Sequence, residues 1–133
     1  MSSYAFFSSM LRFVAAKTEA AAPAALDART VDMMAVLRRI ADTVEREPDF
    51  QVPGDGLELS ARALAGFAAF LQKSILPEAV AHGNQAGEAQ VRWAVDSAMD
   101  AVNTLLSRAA LQEGQPVRVT LPPPPPKDPS LPP

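Results

Sequence analysis

The sequence predicts an all-α fold: an antiparallel bundle of about four helices, followed by an extended proline-rich C-terminal tail. Alanine is abundant and runs of strand-forming residues are nearly absent, which favours helices over sheets. The chain has 133 residues, of which 48% are hydrophobic, and this is the size and composition of one globular domain. We therefore divide it into an amphipathic N-terminal helix (1–22), a helical bundle domain (27–113) and the tail (114–133).

The N-terminal segment has the pattern of an amphipathic helix. Its apolar residues cover about half of a helical wheel. They are Tyr4, Phe6, Phe7, Met10, Leu11, Phe13 and Val14. We interpret the segment as a packing helix of the bundle. Two alternatives stay open: an arm that binds a partner through Phe6, Phe7, Met10 and Phe13, and a helix that lies on a membrane surface.

The second helix and the segment after it are predicted from capping and turn residues. Asp27 or Thr30 can cap the helix, because the side-chain oxygen of either residue can accept a hydrogen bond from a free backbone amide. The segment 48–59 contains two prolines and a Gly-Asp-Gly triplet, and it is predicted to be a loop. Phe50 and Val52 are expected to fill a gap at the end of the bundle.

The third predicted helix begins at Ser60 and ends as Pro77 approaches. It is apolar nearly all round, which is typical of a central helix. Gly66 in its interior lowers helix stability by about 1 kcal/mol relative to alanine. A close helix crossing at Gly66 is the expected reason for its presence.

The longest helical pattern runs from Ala89 to Leu111. At ~100° per residue, one apolar arc contains Val91, Val95, Ala98, Val102, Leu105, Leu106 and Ala109. This arc is predicted to pack against the third helix. Trp93, the only tryptophan, projects among polar side chains about 160° from the centre of the arc.

The position of Trp93 predicts a partner-binding face. Tryptophan is enriched at interface hot spots because it buries a large area in one contact. Asp100, Thr104 and Leu111 lie on the same side of the helix and complete this face. The alternative is that Trp93 packs beneath the N-terminal helix or the Phe50 loop, and the sequence leaves both interpretations open.

The tail contains two further candidate binding segments. Val117, Val119 and Leu121 alternate with polar residues, as in a short strand that could add to the sheet edge of a partner. Nine of the last 18 residues are proline, which favours an extended polyproline II conformation. Its Pro122, Pro125 and Lys127 fit the Pro-x-x-Pro-x-basic ligand pattern. A solvated spacer is the alternative interpretation.

The sequence contains no recognisable catalytic, cofactor or metal site. It has no cysteine and one histidine, His82, which lacks partners with metal-ligand or nucleophile spacing. Asp96 and Asp100 lie one helical turn apart, and a plain polar face is the simplest interpretation of that pair. The net charge of −3 argues against nucleic-acid binding.

These patterns predict a cytoplasmic, non-enzymatic adaptor or structural subunit of a larger protein assembly, and the Ala- and Arg-rich composition suggests a bacterial source. An accessory subunit that stabilises a multi-subunit enzyme is the alternative, and a membrane-surface protein is a weaker one. Protein partners are expected and no cofactor is, while homo-oligomer formation stays open.

Overall fold

The computed structural model describes residues 3–21, 27–111 and 114–125. Helices account for 78% of these residues, so the expected helical class is confirmed. The elements in chain order are α1 (Ser3–Ala21), α2 (Ala28–Val44), β1 (Asp49–Val52), α3 (Leu57–Phe70), α4 (Leu76–Ala81), α5 (Gln85–Leu111) and β2 (Val117–Thr120). The two strands form a small sheet that the all-α prediction lacked.

The third helix continues beyond the predicted end at Pro77. A π-helical turn, Leu71–Ile75, joins α3 to α4. Pro77 lies in the first turn of α4, where a missing amide hydrogen costs little. The wider π turn accommodates the change of hydrogen bonding before the proline.

Polar contacts of Ser8 and Arg12 join α1 to the C-terminal end of α2. Ser8 is fully buried, and its hydroxyl donates to the Ala41 carbonyl oxygen at 2.7 Å. The Arg12 guanidinium donates to the Ser8 hydroxyl at 3.0 Å, to Asp42 at 2.8 Å and to Glu45 at 3.0 Å. These contacts fix which face of α1 points inward, and that face buries Phe7, Leu11, Val14 and Ala15.

The N-cap of α2 is Asp27, which accepts a hydrogen bond from the Thr30 amide at 2.8 Å. Of the two predicted caps, the aspartate therefore takes this role. The helix ends at Val44, and the chain then turns into β1.

The strands β1 and β2 pair antiparallel, with Phe50 opposite Val119 and Val52 opposite Val117. These four side chains are buried on the inner face of the sheet. The prediction of a loop over residues 48–59 is therefore wrong for β1. A strand this short has no stability alone. Its partner β2 is distant in the sequence, beyond α3, α4 and α5.

The backbones before α3 and after α5 approach each other closely beside the sheet, at Gly54 and Gly114. A Cβ atom at Gly54 would lie 2.3 Å from the carbonyl carbon of Gly114. Gly114 has a φ of 84°, a left-handed conformation that glycine adopts without strain. By contrast, Gly66 is exposed and has no atom within 4 Å of its hypothetical Cβ. The predicted close crossing at Gly66 is wrong.

The two glycines make a matched test of this packing. Gly54→Ala should lower the free energy of unfolding by about 1–3 kcal/mol, because the methyl group would overlap the Gly114 backbone. Gly66→Ala should raise it by about 0.5–1 kcal/mol, because alanine favours the helix and meets open space. Urea denaturation followed by circular dichroism measures both. A stabilising Gly54→Ala would contradict the close contact.

Candidate functional site

Trp93 lies inside the fold, with 8% of its surface exposed. Its ring packs edge-to-face against Tyr4 and Phe7 of α1, with ring centroids 5.9 Å and 5.8 Å apart. Its indole Nε1 donates to the carbonyl oxygen of Pro122 at 3.3 Å. The prediction of an exposed Trp93 is therefore wrong, and the alternative of packing beneath the N-terminal helix describes its position.

The buried face of α5 differs from the predicted arc. It is rotated about the helix axis so that it includes Trp93. Ser97 and Ala101 are both buried, and they connect Trp93 to the apolar residues that face α3. The predicted arc did not contain Ser97, because serine is polar, and it had Ala101 only on its flank. The rotation leaves Met99 39% exposed and Leu106 48% exposed. The predicted inward position of Leu106 is therefore wrong.

Of the other residues of the predicted Trp93 face, the structure describes the side chains of Asp100 and Thr104. Asp100 is exposed, and its carbonyl oxygen accepts a hydrogen bond from the Thr104 hydroxyl at 3.0 Å. Leu111 is the last residue of α5, and its side chain lies outside the described part of the chain.

The predicted strand of the tail pairs within its own chain. Val117, Val119 and Leu121 are buried, and the Leu121 amide donates to the Pro48 carbonyl oxygen at 2.9 Å. Because β2 pairs with β1, these side chains are buried within their own chain. Sheet addition to another protein stays a prediction. Pro122 and Pro125 are partly buried, and Lys127 lies outside the described residues.

The four residues of the predicted N-terminal arm do not form a free face. Phe7 is fully buried, and Phe6 and Met10 are partly buried against the core. Phe13 is 37% exposed, and its ring centroid lies 6.1 Å from that of Phe70. The arm interpretation is therefore wrong for Phe7. A helix lying on a membrane surface would need Phe7 and Leu11 in contact with lipid, whereas both side chains are buried in the core.

An apolar strip on α5 includes four residues that remain exposed or partly exposed after folding and a fifth, Val102, that is 6% exposed. Its members follow one another at alternating spacings of four and three residues, and they are Val95, Met99, Val102, Leu106 and Ala109. This is the spacing of the contact seam of a coiled coil. We call these five residues the outer strip.

Two groove sections lie beside the outer strip, one against α3 and one against the π turn and the start of α4. One section has a volume of about 380 Å³ and is lined by Ala61, Ala65, Val102, Leu106 and Ala109, with Glu58 and Arg62 at its side. A smaller section of about 110 Å³ is lined by Gln72, Leu76, Arg92, Val95 and Asp96. The wider section has a largely apolar floor of small side chains, which would allow another helix to approach closely.

A polar groove of about 340 Å³ lies between α2 and β1. Its charged lining residues are Arg39, Glu47, Asp49 and Arg118. The Arg118 guanidinium donates to the Asp49 carboxylate at 2.5 Å. A hydrogen bond from the Thr120 side chain, followed by that from Arg118, holds the pKa of Asp49 below its ordinary value. This pair stabilises the outer face of the sheet.

Titratable groups are not assembled for metal or acid–base chemistry in the described ranges. No group of three or more His, Asp or Glu side chains there could hold a metal ion. His82 is exposed, and its Nδ1 lies 2.7 Å from the Glu78 carbonyl oxygen. Among the helices described, none is both long and apolar enough to cross a membrane.

No protein-family model matches the chain, and no curated protein or solved structure matches it. The functional interpretation therefore depends on the geometry of the described residues. The most informative surface is the outer strip with its groove, which the sequence analysis missed. Its four–three spacing is visible in the sequence, but four of its five residues, all except Met99, also belong to the predicted inward arc.

Acid should weaken the sheet through Asp49. Because the folded-state pKa of Asp49 is lowered, its contribution to stability is present above the unfolded pKa of ~3.9 and is lost as pH falls further. The melting temperature should therefore drop below about pH 4 by more in the native chain than in Asp49→Asn.

The control for this measurement is Asp96→Asn, which removes an exposed carboxylate of α5 outside the sheet. It should keep the acid dependence of the native chain. An identical acid response in the native chain and Asp49→Asn would contradict the role of the Asp49 and Arg118 pair.

Proposed function

We propose that this protein is a non-enzymatic adaptor or structural subunit that binds a partner's amphipathic helix in the groove between α3 and α5. The observation that carries the proposal is the outer strip, whose large members Met99 and Leu106 are 39% and 48% exposed. Apolar side chains at coiled-coil spacing gain from burial against a second apolar helix.

The groove supplies a complementary surface for such a helix. Ala61 and Ala65 of α3 are small and lie one turn apart, so a partner helix axis can come close. Glu58 and Arg62 form an ion pair at 3.0 Å beside the groove, and Arg92 pairs with Glu88 at 2.8 Å near its far end. Charges of both signs at the rim favour a partner helix with mixed charges on its flanks.

The proposal includes an antiparallel arrangement of the bundle helices. Residues 58–65 of α3 line one section of the groove with residues 102–109 of α5. Gln72 and Leu76 line the other section with residues 92–96. These opposite chain directions support an antiparallel pair, in which the two groove sections follow one another along α5.

Site-specific photo-crosslinking in the source cells tests the proposal. A photoreactive amino acid at position 99 or 106 should give a discrete protein adduct, because Leu106 lines the groove and Met99 is an exposed member of the same outer strip. Position 80 is the matched control, since Val80 is also apolar and is 51% exposed, but lies on α4. Adducts of equal yield at all three positions, or none at positions 99 and 106, would contradict the proposal.

A substitution tests the energetics of the same surface. Leu106→Glu should reduce the adduct formed from position 99 by tenfold or more, about 1.4 kcal/mol or more of binding free energy, because it places a carboxylate in an apolar contact. Val80→Glu should leave that adduct unchanged. The melting temperature of each variant separates a binding defect from a folding defect. A full adduct yield with Leu106→Glu would argue against docking in this groove.

A further inference from the structure

We infer that Tyr4 and Trp93 form a polyproline-binding site, which the chain's own Pro122–Pro125 segment occupies and which a proline-rich segment of a partner can take over. This site lies outside the groove of the proposed function and is independent of it. It gives Trp93 a binding role, but one that differs from the exposed hot spot expected from the sequence.

The burial pattern of the proline segment indicates a polyproline II ridge. That conformation has three residues per turn, so residues three apart lie on the same side. Pro122 and Pro125 are partly buried, whereas Pro123 and Pro124 between them are exposed. The two prolines of the Pro-x-x-Pro pattern therefore face the protein, and the two between them face solvent.

The contacts of the site match the chemistry of an extended proline segment. Proline has no amide hydrogen, so the segment offers carbonyl acceptors and flat apolar rings. The Trp93 indole donates to the Pro122 carbonyl oxygen at 3.3 Å. The Tyr4 ring stands at 70° to the Trp93 ring, which forms an aromatic corner. One donor beside aromatic faces is the usual means of recognising polyproline II.

A second copy of this chain is a poor source for the competing segment. Pro122 directly follows Leu121, which is buried in the core, and β2 pairs with β1. The paired β2 holds the proline segment of a second copy beside its own Trp93, so the segment would have to leave that contact before reaching another chain. A partner segment without such a strand meets no comparable restraint, so we assign the competing ligand to a partner.

The chain's own segment should act as a competitor. A site that is free for only a fraction of the time shows an apparent affinity reduced by that fraction. Removal of the inward-facing prolines should raise the affinity for an added peptide. The full-chain double substitution P122G/P125G makes this change and leaves β2 and Leu121 intact.

The test is a titration with a fluorescently labelled Leu-Pro-Pro-Pro-Pro-Pro peptide, read by fluorescence anisotropy. We expect P122G/P125G to bind it at least about tenfold more tightly than the native chain. The matched control P123G/P124G removes the same number of prolines from the outward side and should bind as the native chain does. A peptide with alanine at its second and sixth positions has no two prolines three apart and should bind P122G/P125G at least about tenfold more weakly.

The indole donor is tested in the same background. Adding Trp93→Phe to P122G/P125G keeps an aromatic ring but removes the N–H group. Peptide binding should weaken about threefold to tenfold, the effect of one hydrogen bond. A circular dichroism melt verifies that each variant is folded, and Tyr4→Phe provides a second aromatic-preserving variant that should keep binding.

Two results would overturn the inference. One is P122G/P125G binding the peptide no better than the native chain, or binding the alanine peptide equally well. The other is a concentration-dependent dimer of the native chain that P122G/P125G abolishes, because it would assign the exchanging segment to a second copy.

Discussion

The burial of Trp93 between α1 and the proline segment is the contact on which the arrangement of the chain ends depends. A single side chain of α5 touches Tyr4 and Phe7 near one end of the chain and Pro122 near the other. Truncation of a buried tryptophan costs about 3–5 kcal/mol, and each edge-to-face aromatic pair adds about 0.5–1.5 kcal/mol beyond area burial. The sheet strengthens the same connection, because β2 holds the proline segment beside α5.

This contact also determines which surface stays available. With Trp93, Ser97 and Ala101 facing inward, the rotation of α5 brings Met99 and Leu106 to the surface. Small side chains at positions 97 and 101 allow the neighbouring elements to approach α5 closely. The outer strip is therefore a consequence of internal packing as well as a candidate binding surface. The same internal packing does not account for the apolar lining of the groove beside the strip. This supports the proposal that a partner covers the groove.

The sequence was informative wherever one local pattern decided the structure. Helical periodicity and the Asp27 cap predicted α2, and the alternation over 117–121 predicted a strand. It was uninformative where a contact between residues distant in the sequence determined the structure. Nothing local pairs Phe50 with Val119, and an apolar arc cannot show that Trp93 faces Tyr4 rather than solvent. The same limit explains Gly66, whose close crossing was inferred without knowledge of the neighbouring helix.

The most direct measurement of the central contact is acrylamide quenching of tryptophan fluorescence in the full chain. Trp93 is the only tryptophan, so the emission comes from this one side chain. Burial between α1 and Pro122 predicts a blue-shifted emission that acrylamide quenches weakly, and P122G/P125G should make the quenching stronger. A red-shifted emission in the folded native chain, quenched as strongly as in the unfolded chain, would contradict the account.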